Sequence, residues 1–246
     1  LQDGAWPDPT RQGAASTQVQ GVALSDVADV YSGLATLADS IYTVTVEQYG
    51  TATCQVRTHT GELLPIETKV LVPLFKWTKD TAGDPLAVHS RAIIYPYDSH
   101  GVLRSAAWMA THAPLAWTYL HTQKSALALR DKGHTSGYPA WYAFGRSQGL
   151  FKAGTTHAGW GIPTMWSGPY TPKPIRLSPS QPYAFVSGYV IRPKAHTDPQ
   201  RLEMALSDAQ VWEQVHALGK MWAGDKPYRT IGAPLLRTLK IPYTKP

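Results

Sequence analysis

The spacing of apolar residues along this 246-residue chain switches between two periods. From Ile41 to Glu47 β-branched residues alternate with polar ones, which predicts a half-buried strand. "ATCQVRT" and "KVLVPLF" read as further strands, as does "SRAIIYPYD", whose Pro96 end belongs at an edge or a turn. Ahead of them, Ser25 and Asp26 suit the cap of a short helical turn that Gly33 interrupts. From Pro114 to Lys132 the period lengthens to that of a helix. Pro114 fits the first helical position, Gly133 the stop, and Leu120, Leu127 and the alanines supply an apolar side.

Beyond the helix, "AWYAF" reads as a candidate strand, and a loop-rich stretch follows with Pro163, Pro169, Pro172 and Pro174. "PYAFVSGYVIRP" predicts a strand pair or one bent strand. "DPQRLEMALSDAQVWEQVHALG" predicts one helix or two: Asp198 and Pro199 start it, Ser207 and Asp208 offer a restart, and Gly219 ends it. The tail "LLRTLKIPYTKP" reads as extended or loop. Strands and helices do not alternate in βαβ fashion. The expected fold class is therefore α+β, an irregular mixed-sheet domain with several helices and long loops. Residues 1–20, rich in Pro, Gly, Ser and Gln, read as a flexible linker or arm, and residues 21–246 as one domain. A chain opening on Leu1 reads as a piece of a longer protein.

Composition alters this picture in few places. Charged residues are only 16% of the chain, below the roughly one quarter usual in globular proteins, yet Lys and Arg outnumber Asp and Glu by 23 to 17. A net charge of +6 suits an acidic partner such as nucleic acid. The single cysteine, Cys54, excludes an intrachain disulfide framework and a thiolate zinc cluster, and it favours a reducing compartment; a cytoplasmic location is expected. No apolar run has the length of a membrane span and the start of the chain is no signal peptide, so no membrane partner is expected. The nine histidines are scattered without ligand spacing, so no metal site is expected.

"GRSQG", Gly145 to Gly149, matches G-x-S-x-G, the nucleophile elbow of α/β-hydrolases. A serine hydrolase using Ser147 is one alternative. It requires a strand before the serine and a helix after it, and the glycine-rich "LFKAGTTHAGWGIPT" is a poor helix. Asp198 or Asp208 followed by His216 satisfies the chain order of acid and base. Aromatic and cationic residues interleave around the same motif, at Tyr138, Trp141, Tyr142, Arg146, Gln148 and Lys152, and again at Lys76, Trp77 and Lys79. Such residues neutralise phosphates, reach base edges or stack on bases, and they equally build cores.

Several segments together resemble the C-terminal target-recognition, or specificity, domain of type II and type IIG adenine-N6 DNA methyltransferases of restriction–modification and phage-defence systems. Gly33, Leu34, Thr36, Asp39 and Tyr42 match one of that family's patterns, and Pro73, Lys76 and Asp80 a second. Pro96, Tyr97 and Asp98 match a third. The most specific piece is Arg130 and Asp131 followed by Trp141, Tyr142, Gly145, Arg146, Ser147 and Gln148. "YVIRP" and "LKIPYTKP" resemble the closing pieces, and the likeness runs in order from about Val22 to Pro242. The resemblance implies that residues 21–246 recognise a double-stranded DNA site, with Lys76, Lys79, Tyr142, Arg146, Ser147, Gln148 and Lys152 as DNA-binding residues. It also implies a methyltransferase catalytic domain in cis or as a partner subunit, with S-adenosylmethionine bound there. The chain departs from the family's full pattern in lacking both the Gly-rich S-adenosylmethionine loop and the N-P-P-[Y/F] catalytic motif. No cofactor and no catalytic residue are therefore expected in this chain. A protein-interaction module of the same fold is the remaining alternative.

Overall fold

The computed structural model describes residues 19–76, 90–150, 159–167, 174–177, 183–224 and 227–244; the expected arm up to residue 18 lies outside these. The chain begins with β1 (Val22–Ala23), α1 (Leu24–Val27) and β2 (Ala28–Ser32), then α2 (Asp39–Tyr42) and β3 (Thr43–Gln48). Next come β4 (Thr53–Arg57), β5 (Leu63–Glu67), β6 (Leu71–Lys76) and β7 (Arg91–Ile94). Helices α3 (Ala106–His112), α4 (Pro114–Thr122) and α5 (Lys124–Ala128) follow, closed by a 3-10 turn at Arg130–Gly133. The second half holds β8 (Gly159–Pro163), β9 (Met165–Ser167), β10 (Ile175–Leu177), β11 (Ala184–Val186) and β12 (Gly188–Pro193). It ends with α6 (Pro199–Leu206), α7 (Ala209–Leu218), β13 (Lys220–Trp222), β14 (Tyr228–Thr230), α8 (Ala233–Arg237) and β15 (Lys240–Ile241). The fold is α+β.

Two apolar cores organise these elements. The first lies under a six-stranded sheet ordered β11-β6-β7-β3-β4-β5, antiparallel except where β11 runs parallel to β6. Alternation decides which residues face inward. Val44 and Val46 of β3 and Cys54 and Val56 of β4 are buried, and their neighbours turn outward. Met109, Ala116, Leu120 and Leu127 of α3 to α5 close this core. Glu67 at the end of β5 anchors α4: its buried carboxylate accepts from the backbone N–H groups of Leu115 (2.7 Å) and Ala116 (2.9 Å), just after Pro114, which has none to give.

The second core lies between the antiparallel sheet β10-β8-β12-β2 and helices α6 to α8, with Trp160, Ile162, Trp166, Ile191, Leu202 and Trp212 among its members. Ser187 alone separates β11, in the first sheet, from β12, in the second, and it takes a left-handed backbone (φ 59°) to turn the chain from one to the other. No helix among the described residues is long and apolar enough to cross a membrane.

Several expectations need correction. The stretch from Pro114 to Lys132 is not one helix: it breaks at Gln123, and Asp131 and Lys132 adopt left-handed backbone (φ 51° and 57°). Helix α3 has no counterpart in the expected pattern, nor has β2, which replaces most of the helical turn expected before Gly33. "AWYAF" forms turns and bends, not a strand. The tail contains a short helix, α8, before β15 pairs with β1. The long C-terminal helical stretch is two helices, with Asp198 and Asp208 as their N-caps.

Candidate functional site

Residues 134–150 contain neither helix nor strand. Their shape is held by Arg130, whose side chain runs inward and is buried. Its guanidinium donates to the carbonyls of Leu127 (2.9 Å), Ala143 (2.7 Å), Trp141 (2.7 Å) and Thr36 (3.3 Å). Tyr138 lies over the charged group at 4.9 Å. A planar fork of donors suits this task, because several carbonyls of an irregular segment converge on one point and each requires a donor. Two tyrosines complete the frame. The Tyr42 hydroxyl donates to the Tyr142 carbonyl (2.9 Å), and the Tyr97 hydroxyl accepts from the Phe144 amide (2.7 Å). Burial pushes both phenols above their ordinary range, so both stay neutral.

The Gly145–Gly149 turn is then laid against residues 33–36. Gly145 N–H donates to Thr36 O (3.0 Å), Arg146 N–H to Ala35 O (3.0 Å), and the Gln148 side-chain Nε2 to Gly33 O (3.1 Å). Gly149 is left-handed (φ +71°), and a Cβ there would lie 2.5 Å from the Gly33 carbonyl carbon, so two backbones meet where only glycine fits. On its other side the Gly33 segment is stitched to the sheets, with Gly33 N–H to Gly188 O (2.9 Å) and Leu34 N–H to Phe185 O (2.6 Å). Thr36 and Asp39 hydrogen-bond to each other, and Asp39 also pairs with Lys76 (3.2 Å) at the end of β6. Residues drawn from motifs more than a hundred positions apart thus meet in one connected network.

The expected DNA-binding residues separate into three groups. Arg146, Ser147 and Gln148 are exposed on the turn; Arg146 bonds Asp131 (3.1 Å) and its neighbouring Gly145 carbonyl (2.8 Å). Lys76 is partly covered and paired with Asp39, as above. Tyr142 is a correction: it is buried, with its hydroxyl donating to Arg104 O (2.8 Å), because this ring fills the first core, packed edge-on against Trp117. Lys79 and Lys152 lie outside the described residues, as does Trp77.

The elbow geometry is not built around Ser147: no strand precedes it. The candidate acids have other duties, since Asp198 Oδ1 accepts from Gln200 N–H and Asp208 Oδ1 from Gln210 N–H, each at 2.8 Å. Among the described residues, no group of three or more His, Cys, Asp or Glu side chains is placed to hold a metal ion.

Beside the turn opens a cavity of about 290 Å³, bordered by Ser147, Gln148, Tyr31, Arg192 and Arg237. The last three escaped sequence reasoning. The signal for Arg192 and Tyr31 is strand register: Tyr31 faces Val190 across β2 and β12, so Tyr31 and Arg192 share one face of that sheet. Arg237, from α8, reaches the same place and donates to Val30 O (3.0 Å). Compared with protein-family models and with curated proteins, the chain matches none.

Proposed function

We propose that this chain is the DNA target-recognition part of an adenine-N6 DNA methyltransferase. It binds double-stranded DNA and leaves methyl transfer to a catalytic domain in cis or on a partner subunit. S-adenosylmethionine belongs to that domain; this chain has neither the Gly-rich loop nor the N-P-P-[Y/F] motif that would use it. One observation carries the reading. Ten of the nineteen motif residues on which the family likeness rests (Gly33, Thr36, Asp39, Tyr42, Lys76, Tyr97, Arg130, Gly145, Arg146 and Gln148) join in a single hydrogen-bonded and ion-paired frame. A chance set of short matches has no reason to converge.

In this reading the frame is scaffold and its outer surface is the reader. Arg130, Tyr42 and Tyr142 face inward and hold the turn, and Arg146, Ser147 and Gln148 stand on its exposed side. Arg146 and Lys76, with Lys79 and Lys152, neutralise phosphates and set the register, and Gln148 is the side chain suited to a base edge. The net charge of +6 favours encounter with duplex DNA.

Fluorescence anisotropy with a labelled duplex tests this. The affinity should fall steeply with added salt, and Arg146→Ala should lower the slope of log K against log salt by about one. Duplex binding that is absent, both for the chain alone and after joining it to a methyltransferase catalytic domain, or that is independent of salt, overturns the reading.

A further inference from the structure

The cavity beside the Gly145–Gly149 turn has a chemistry that the scaffold does not require. Its cationic side is Arg192 and Arg237, and none of its lining residues is a carboxylate. The register places Asp29 of β2 opposite Arg192, yet Asp29 forms no ion pair with either arginine. Arg237 meets only the neutral Val30 carbonyl among the described residues. Arg192 lies 4.9 Å from the Tyr31 ring centroid and, unlike Arg130, has no side-chain hydrogen bond to a carbonyl among the described residues, so its guanidinium is not spent on holding the chain. Burial also holds the guanidinium below its ordinary pKa, in keeping with a cation short of counter-charge.

The remaining walls combine aliphatic side chains (Val30, Leu150, Val190) with aromatic and polar ones. Tyr31, 42% exposed, and Tyr183 contribute rings. Gln148 spends its Nε2 on Gly33 O, which fixes the amide and leaves Oε1 without a donor among the described residues. Ser147 adds a hydroxyl at the rim. Arginines suit a phosphate, flat rings suit a flat heterocycle, and an oriented amide oxygen suits an exocyclic amine. The volume, about 290 Å³, lies near the lower end of the roughly 300–1,000 Å³ of small-ligand sites, so one small ligand fills it.

We infer that this cavity binds one nucleotide unit, an unpaired base with its phosphate, held by Arg192, Arg237, Tyr31 and Gln148. The unit has two chemical sources, a free mononucleotide or a base turned out of a DNA strand. The second source rests on the DNA-recognition reading above; the first does not.

Titration calorimetry of the full chain with dAMP, dGMP, dCMP, dTMP, deoxyadenosine and inorganic phosphate tests the site. A parallel arm uses duplexes with and without one unpaired 2-aminopurine, whose fluorescence reports unstacking. A mononucleotide should bind more tightly than either phosphate or the nucleoside. Arg192→Met should weaken it by about tenfold or more. Tyr31→Ala, an exposed strand position whose loss spares the cores, should weaken the nucleotide about tenfold and leave phosphate unchanged.

Preference for the bulged duplex that Arg192→Met removes supports the strand as the source; its absence alongside mononucleotide binding supports the free ligand. If no mononucleotide binds and the bulge brings no preference, the proposal is overturned, even where intact duplex still binds with a steep salt dependence. Nucleotide binding without any duplex binding, for the chain alone and after joining it to a methyltransferase catalytic domain, keeps the proposal and overturns the DNA reading instead. Binding that both variants leave intact, or phosphate bound as tightly as the nucleotide, overturns the site as assigned.

Discussion

Arg130 and Arg192 are both inward-turned arginines beside tyrosine rings, and they differ in where their protons go. Around Arg130 the chain supplies a carbonyl for each direction of the fork, from Leu127, Ala143, Trp141 and Thr36. Around Arg192 it supplies a ring and an open cavity, with no carbonyl partner among the described residues. The first arrangement spends four of its five N–H groups on carbonyls. It is a clamp that turns an irregular segment into a fixed shape. The second lines a cavity, and no carbonyl among the described residues claims it. Charge does not distinguish scaffold from site here; burial, at 5% exposure for Arg130 against a half-buried Arg192, and the count of carbonyl partners do.

The largest test of that contrast is Arg130→Met. It strands the Trp141 carbonyl, leaves Ala143 O with only a long bond from the Tyr42 hydroxyl (3.4 Å) and takes one of two donors from Thr36 O, which keeps Gly145 N–H, at about 1–3 kcal/mol for each group left poorly paired. A loss of at least about 4 kcal/mol is expected in denaturant melts, with the Gly145–Gly149 turn opening. Arg130→Lys should recover little of it, because a point charge cannot reproduce the fork. A melt unchanged by either substitution breaks the clamp idea.

Next in size is Gly149→Ala. The added Cβ meets the Gly33 backbone at 2.5 Å on a left-handed residue, so the turn must move away from residues 33–36. About 2–4 kcal/mol of destabilisation is expected. Because Gly33, Ser147 and Gln148 also border the cavity, the same substitution should disturb nucleotide binding, whereas Tyr31→Ala should change binding with little change in stability. Equal loss of stability in both variants would erase the distinction between frame and site.

A smaller effect is expected at alkaline pH, with a contribution from the clamp side. Burial, with a lesser push from Glu62, moves the Tyr119 phenol up to about 12, and its hydroxyl donates to Ile41 O (2.9 Å) in the first core. In the unfolded chain a tyrosine loses its proton near pH 10. The neutral phenol is therefore favoured by folding: its contribution is intact below pH 10 and is lost as pH rises through about 12. Thermal melts from pH 8 to 12 should show stability falling in that window, and Tyr119→Phe should flatten part of the fall while lowering stability at neutral pH.

How far these features were legible in the sequence depends on how local their causes are. Alternation at Ile41–Glu47 predicts the strand that is β3, and the Asp198 and Asp208 caps mark the starts of α6 and α7, since each cap acts within one turn of its own helix. Helix α3 went unread although Ser105 caps it through the Trp108 amide (3.1 Å), because only Met109 among its residues is buried and no apolar stripe announces it. The break after Leu129 also went unread, since its cause is the docking of Arg130 onto carbonyls from distant segments. The turn is legible as the G-x-S-x-G match, and Gln148 lies on it, whereas Tyr142, expected among the DNA-binding residues, lies inward. Nothing local distinguishes a tyrosine that stacks on a ligand from one that fills a core. The cavity arginines, on β12 and α8, come together only when the second core is assembled.

The smallest expected change in stability is also the one that separates the two arginines most sharply. Arg192→Met removes a partly buried guanidinium whose Nε has no partner among the described residues, and it strands no carbonyl by any hydrogen bond among them. Replacing an unsatisfied polar group with an apolar one of similar length removes a desolvation cost, against the loss of the contact with the Tyr31 ring. The expected balance is within about 1 kcal/mol of zero, on either side. The same exchange of Arg for Met at Arg130 is expected to cost at least about 4 kcal/mol. If Arg192→Met proves as destabilising as Arg130→Met, then Arg192 is a second clamp, and its open donor is no sign of a missing ligand. If it leaves the melt unchanged while abolishing nucleotide binding, the arginine is held on β12 for what enters the cavity and not for what the chain already contains.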